Sequence, residues 1–248
     1  GLITSPFATE IVRGLDGAAR AAGMAVFAVN HSSGQTMGSV LDEVQQFRPR
    51  AVAYAAMYHK DIALPEKLIG AVGVMINCRD AAGLVTSLVP DEEAAGHSIA
   101  SHLIDAGRRR IAFLNLPGLL AGELRERGFR AALDEAGLDP VAVLPAVKRA
   151  AYADRARSLV AQHVIDLMAG PDRPDAILCG NDRVAMEAYA ALRKVGAGIP
   201  DDVAVAGFDN QVDIATRLDP PLTTMALPHR AMGRMAAEIL QAAEPPER

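Results

Sequence analysis

Short apolar, β-branched segments alternate along this chain with longer stretches of helical period, and that alternation restricts the fold more than any other feature. The expected strands are Met24–Val29, Ala51–Ala55, Val72–Ile76, Ile111–Leu114, Ala176–Cys179 and Val203–Phe208, with weaker candidates at Val85–Val89 and Val141–Val147. The expected helices are residues 8–22, 37–48, 92–106, 122–136, 153–169, 183–195 and 229–243. Several strands are apolar at consecutive positions, as a parallel sheet covered by helices on both faces requires. The pattern therefore predicts an α/β fold with a doubly wound parallel sheet. Punctuation agrees. Gly23, Gly107, Gly137 and Gly196 each follow a helical pattern, where a residue free to turn left-handed ends a helix. Asp91 precedes Glu92 and Glu93, a cap followed by acids suited to a helix start. Strand–helix units before about residue 89 and again after about 110 hint at a twofold organisation.

Composition removes several function classes. The 248 residues allow one large domain or two small ones. No apolar run approaches the roughly 18 residues of a membrane span. No basic-then-apolar start signals secretion. A net charge of −5 gives this chain no concentrated basic face for nucleic acid. Two cysteines, Cys78 and Cys179, show no metal-ligand spacing and read as small buried hydrophobes, in keeping with a reducing, cytoplasmic setting. Phosphate loops, zinc-hydrolase helices, nucleophile elbows and dinucleotide fingerprints are all missing, so no enzyme class and no cofactor is supported. His97 and His102 fall within one expected helix and read as surface or satisfied residues.

Ligands of open α/β sheets gather at the carboxyl ends of the strands. The residues following the expected strands are Asn30 and His31; Met57, Tyr58 and His59; Asn77, Cys78 and Arg79; Asn181 and Asp182; and Asp209 and Asn210. Phe7 lies near the amino terminus. Carboxylates, amides and a guanidinium accept or donate hydrogen bonds in pairs, and rings offer an apolar platform. That mixture suits a neutral polyhydroxylated ligand. Each residue also has a plainer reading: Asn181 or Asp182 as a helix cap, Asp209–Asn210 as a turn, Arg79 as a solvated loop residue.

An ordered set of segments carries a family resemblance. They are Ser5-Pro-Phe-Ala-Thr-Glu-Ile-Val-Arg-Gly14, Gly107-Arg-Arg-Arg-Ile-Ala-Phe113, Gly128-Phe-Arg-Ala-Ala-Leu-Asp-Glu-Ala-Gly137, Cys179-Gly-Asn-Asp-Arg-Val-Ala185, Ile199-Pro-Asp-Asp-Val-Ala-Val-Ala-Gly-Phe-Asp209 and Pro220-Pro-Leu-Thr-Thr224. Together they resemble the effector-binding core of LacI/GalR-type transcriptional regulators, which share a fold with type I periplasmic binding proteins. The resemblance implies two doubly wound subdomains: residues 1–89 with 226–248 on the dimerisation side, and residues 90–225, with the effector cleft between them. It implies a sugar or sugar-like effector, a homodimer, and operator DNA read by an amino-terminal helix-turn-helix not contained in this sequence. No membrane partner is implied. By the same resemblance the ligand-binding residues are Phe7, Tyr58, His59, Cys78, Arg79, Arg125, Tyr152, Asn181 and Asp209. Many sugar-binding relatives carry Asp where this chain has Cys78, and often Gln where it has Leu227. A solute-binding protein of a sugar transporter and an α/β enzyme acting on a sugar are the alternative readings.

Overall fold

The computed structural model describes residues 6–31, 34–64, 69–148 and 158–242, with the side chains of residues 6 and 7 excepted. The chain divides into two compact units, one of Gly1–Pro90 with Pro228–Arg248 and one of Asp91–Leu227.

The second unit is built on a five-stranded sheet. Its strands are β6 (Ile111–Asn115), β7 (Ala142–Pro145), β8 (Ala176–Cys179), β9 (Ala204–Phe208) and β10 (Thr223–Met225), in the order β10-β9-β8-β6-β7, all parallel. The continuous apolar runs have a direct cause, since successive side chains alternate between two covered faces. Phe113 and Leu178 point to one face and pack with Ile99 and Leu103 of α3 (Glu92–Asp105) and Phe129 and Leu133 of α4 (Leu120–Glu135). Leu114, Ile177 and Cys179 point to the other, against α5 (Val160–Ala169) and α6 (Asp182–Lys194). Burying a side chain such as Phe113 or Leu178 contributes about 1.5–3 kcal/mol. Asp91 caps α3 by accepting a 3.0 Å bond from the Ala94 amide, as its sequence position predicts. Gly107 turns the chain out of α3 at a φ of 85°, which a Cβ would oppose.

α3 and α4 cross at glycines. A Cβ on Gly128 would stand 1.9 Å from the Glu93 carbonyl oxygen, and one on Gly96 2.3 Å from that of Arg125. The first unit repeats the device. Its helices α1 (Pro6–Ala21) and α8 (His229–Ala242) cross where a Cβ on Gly14 or Gly233 would lie 2.0 Å from a backbone oxygen of the other helix. This unit also holds α2 (Met37–Gln46), a parallel sheet β1-β3-β5 of β1 (Ala53–Ala55), β3 (Val74–Ile76) and β5 (Ser87–Leu88), and a parallel pair of β2 (Asp61–Ile62) and β4 (Arg79–Asp80).

Three expectations need correction. Met24–Val29 forms no ladder among the described residues, although its pattern reads as a buried strand. It and Val52–Tyr54 line one apolar cavity of about 480 Å³, and none of the described strands pairs with it. The candidate strand Val85–Val89 shrinks to Ser87–Leu88. Of the expected helix 153–169, residues 153–157 lie outside the described set. Ser158 makes a β-bridge to Val147, so the helix starts at Val160. Four short elements carried no sequence signal strong enough to place them: β2, β4, β10 and the one-turn helix α7 (Val212–Ala215).

The crossing predicts opposite outcomes for two alanines. Gly128→Ala should destabilise the protein by about 1–3 kcal/mol, because neither helix backbone can yield. Gly17, exposed in α1 with nothing within 4 Å of its Cβ position, should gain about 0.5–1 kcal/mol as alanine. Thermal and urea unfolding of the two variants checks both signs.

Candidate functional site

In the second unit, three strand ends and two helices place their polar side chains in one buried group. Arg125 comes from α4, and the glycine crossing brings its turn against the first turn of α3. Its Nε donates to Glu92 Oε2 at 2.7 Å, and its Nη1 donates to the Gly180 carbonyl at 2.7 Å, just past β8. Its Cζ lies 4.5 Å from the centroid of the Phe208 ring, at the end of β9. Nη2 stands 3.7 Å from Asp209 Oδ1, too far for a hydrogen bond, with both side chains 7 % exposed.

Asp182, the first residue of α6, completes the group. It is fully buried, accepting 2.6 Å bonds from the Thr224 hydroxyl and from the Gln211 amide. Asp209 and Asn210 have φ values of 101° and 48°, a left-handed backbone that costs a non-glycine residue of order 1–3 kcal/mol. Three successive amides hold the turn in place. Asp209 N donates to Met225 O at 2.9 Å, Asn210 N to Thr224 Oγ1 at 3.2 Å, and Gln211 N to Asp182.

One guanidinium thus faces three buried carboxylates. Burial is the main cause of a raised pKa in each. Asp209 is pushed up to about 7, with Arg125 opposing the shift and Asp182 and Glu92 adding to it. Asp182 is pushed up to about 6, against the bonds from Thr224 and Gln211. Burial also raises Glu92, with Arg125 working the other way.

The residues expected to bind ligand fall into distinct settings. Arg125 and Asp209 are brought together in the buried group. Asn181 caps α6, its Oδ1 accepting from the Val184 amide at 3.0 Å, and its Nδ2 has no partner among the described residues. The cap reading of that residue thus holds, and it leaves the amide nitrogen available. In the first unit, Cys78 is buried in the core with Met75 and Val85; its thiol donates to the Ile76 carbonyl and burial pushes its pKa up to about 12, so the thiol stays protonated. Cys179 is equally buried and burial raises its pKa too. Arg79 is exposed and forks onto Asp61 through Nε at 2.6 Å and Nη2 at 3.2 Å. His59 is buried, and Tyr58 is 39 % exposed at the end of β1. The Phe7 side chain and Tyr152 lie outside the described residues. Glu92, Gln211 and Thr224 were not singled out as site residues. Glu92 reads in sequence as a first-turn acid, and nothing local reveals that its partner lies 33 positions on.

Residues 100–246 match the periplasmic binding protein-like domain family. The sucrose operon repressor of Escherichia coli is 34 % identical over 235 residues, 94 % of this chain and 71 % of that protein. The chain belongs to the LacI family of transcriptional regulators. The ribose operon repressor of Escherichia coli (strain K12) is 29 % identical over 245 residues, covering 96 % of this chain and 71 % of its own. A putative LacI-family regulator from Rhizobium etli superposes with a TM-score of 0.87 at 32 % identity, over 96 % of this chain and 86 % of that one. This LacI-family chain is the effector-sensing core of a regulator, and its matched relatives are transcriptional repressors. Among the described residues, no helix is long and apolar enough to cross a membrane.

The charge balance of this core makes its stability depend on pH. Folded, Asp209 holds its proton up to about pH 7, whereas an unfolded Asp releases it near about 3.9. Between those values the folded state binds more protons, so stability falls as pH rises. Asp209→Asn should flatten the fall through about pH 7 and leave the earlier part, which Asp182 contributes near 6. Arg125→Leu should cost about 3–5 kcal/mol by removing the buried guanidinium that faces Glu92 and Asp209. Melting curves from pH 5 to 8.5 test both.

Proposed function

We propose that this regulator core senses an uncharged, polyhydroxylated effector, a sugar or a close relative of one. The observation that carries the proposal is the 3.7 Å gap between Arg125 Nη2 and Asp209 Oδ1. A hydroxyl placed there accepts from the guanidinium and donates to the carboxylate, and so satisfies both buried groups at once. The Nδ2 of Asn181 offers a further donor to a neighbouring ligand oxygen. With three acidic side chains around a single guanidinium, the site has no surplus positive charge to offer a phosphate or carboxylate on the ligand. The names of the sucrose and ribose operon repressors agree with a carbohydrate.

In this reading Phe7, Tyr58 and Tyr152 supply the rings of the effector site. The regulator works as a homodimer in the cytoplasm and binds operator DNA through a helix-turn-helix outside this sequence. Effector changes DNA affinity only by binding two states of the protein unequally. No reaction accompanies binding, so a bound sugar is recovered unchanged.

Calorimetry with sucrose, D-fructose and D-ribose, each beside a phosphorylated counterpart, tests the proposal. Saturable binding of a neutral sugar is expected, with the phosphorylated form at least tenfold weaker and Asp209→Ala losing about tenfold or more. Tighter binding of the phosphorylated form, or unchanged affinity in Asp209→Ala, rejects the assignment.

A further inference from the structure

Asp209 is the carboxylate on which the proposed site depends, yet its own backbone is in a conformation it does not favour. Two consecutive non-glycine residues, Asp209 and Asn210, hold positive φ values. Such a turn persists only where its surroundings over-determine it. The surroundings converge on one side chain. Asp182 Oδ2 accepts directly from the Gln211 amide, and Asp182 Oδ1 accepts from the Thr224 hydroxyl, whose oxygen accepts in turn from the Asn210 amide. Two of the three amides anchoring the turn are therefore tied to Asp182, and the third is held by the backbone of β10. The space for this carboxylate is prepared. Gly207 sits beside it on β9, and a Cβ there would come within 2.7 Å of Asp182 Oδ1. The paired strands place Thr224 opposite Gly207, so the hydroxyl arrives at the oxygen that the missing Cβ leaves free.

We propose that Asp182 is the positioning residue of the effector site: it clasps the Asp209–Gln211 turn through the Gln211 amide and the Thr224 hydroxyl, and thereby aims the Asp209 carboxylate beside Arg125. Asp182 touches no effector itself. Its two oxygens are spent on these bonds, and its side chain is sealed from solvent. The adjacent Asn181 spends its Oδ1 on the Val184 amide and keeps its amide nitrogen for the effector, so one dipeptide divides the tasks of contact and support. The proposal rests on the reading of Asp209 as an effector-binding residue.

The conservative replacement separates support from bulk. Asp182→Asn keeps an acceptor for the Gln211 amide, and its NH2 can donate to the Thr224 oxygen. Asp182→Ala keeps neither, and Thr224→Val cuts the second arm alone at almost unchanged volume. Affinities for sucrose, D-fructose and D-ribose are measured by calorimetry. Hydrogen exchange is followed at the amides of residues 209–211. Asp182→Ala and Thr224→Val are expected to weaken the best-binding sugar by roughly tenfold. Asp182→Asn and Thr224→Ser should stay within about threefold of the parent. In an Asp209→Ala background, Asp182→Ala should cost no further affinity, since the carboxylate it aims is gone. The amides of Asn210 and Gln211 should exchange faster in Asp182→Ala while those of β8 keep their protection. Equal affinity losses with and without Asp209 overturn the proposal, as does unchanged exchange at 210 and 211. If none of the three sugars binds the parent protein, the carbohydrate reading fails and the exchange experiment alone decides the clasp.

Discussion

The buried Arg125 guanidinium is the group on which the second unit's polar architecture depends. It reaches a helix start through Glu92, a strand end through the Gly180 carbonyl, a second strand end through the Phe208 ring, and the turn beyond it through Asp209. A charge taken this far from water is tolerated only with such partners, because desolvation costs several kcal/mol per ion. The surrounding carboxylates outnumber it, and burial raises the pKa of each. Arg125 therefore compensates them incompletely, and burial favours the protonated form of the acids it does not fully pair.

Packing makes the contact geometry available. Gly96 and Gly128 remove the Cβ atoms that would hold α3 and α4 apart, and the Arg125 backbone lies directly against Gly96. Only at this separation does the first turn of α3 meet the side chain leaving α4. The first unit uses the same crossing at Gly14 and Gly233, between helices more than 200 residues apart in sequence. Two sheets, each with a glycine-crossed helix pair, express structurally the twofold organisation hinted at by the strand–helix units.

Legibility in sequence followed the range of the interactions. The strands β6, β8 and β9 were readable because alternation and continuous apolarity are local and each is covered on both faces. Met24–Val29 carries an equally apolar pattern, but a strand is defined by its ladder, and none of the described strands pairs with it. Asn181 was legible as a cap, and that role uses its Oδ1 alone. Glu92, Thr224 and Gln211 escaped notice as site residues because each carries an ordinary local explanation: a first-turn acid, a position in a short strand and a residue in a turn.

By itself, the sequence determined the α/β class, most element positions, the helix ends at glycine and the family, all of which rest on short-range periodicity, capping chemistry and ordered motifs. Tertiary structure alone decided which charges meet. Arg125 pairs with residues 33 positions before it and 84 after it, and Asp182 bonds to residues 29 and 42 positions on. It also decided that Cys78 is a core thiol and that Arg79 spends its fork on Asp61. The reason is physical. Desolvation and ion pairing depend on distance in space, which helix crossing and strand order set, and no local pattern of residue types records that distance.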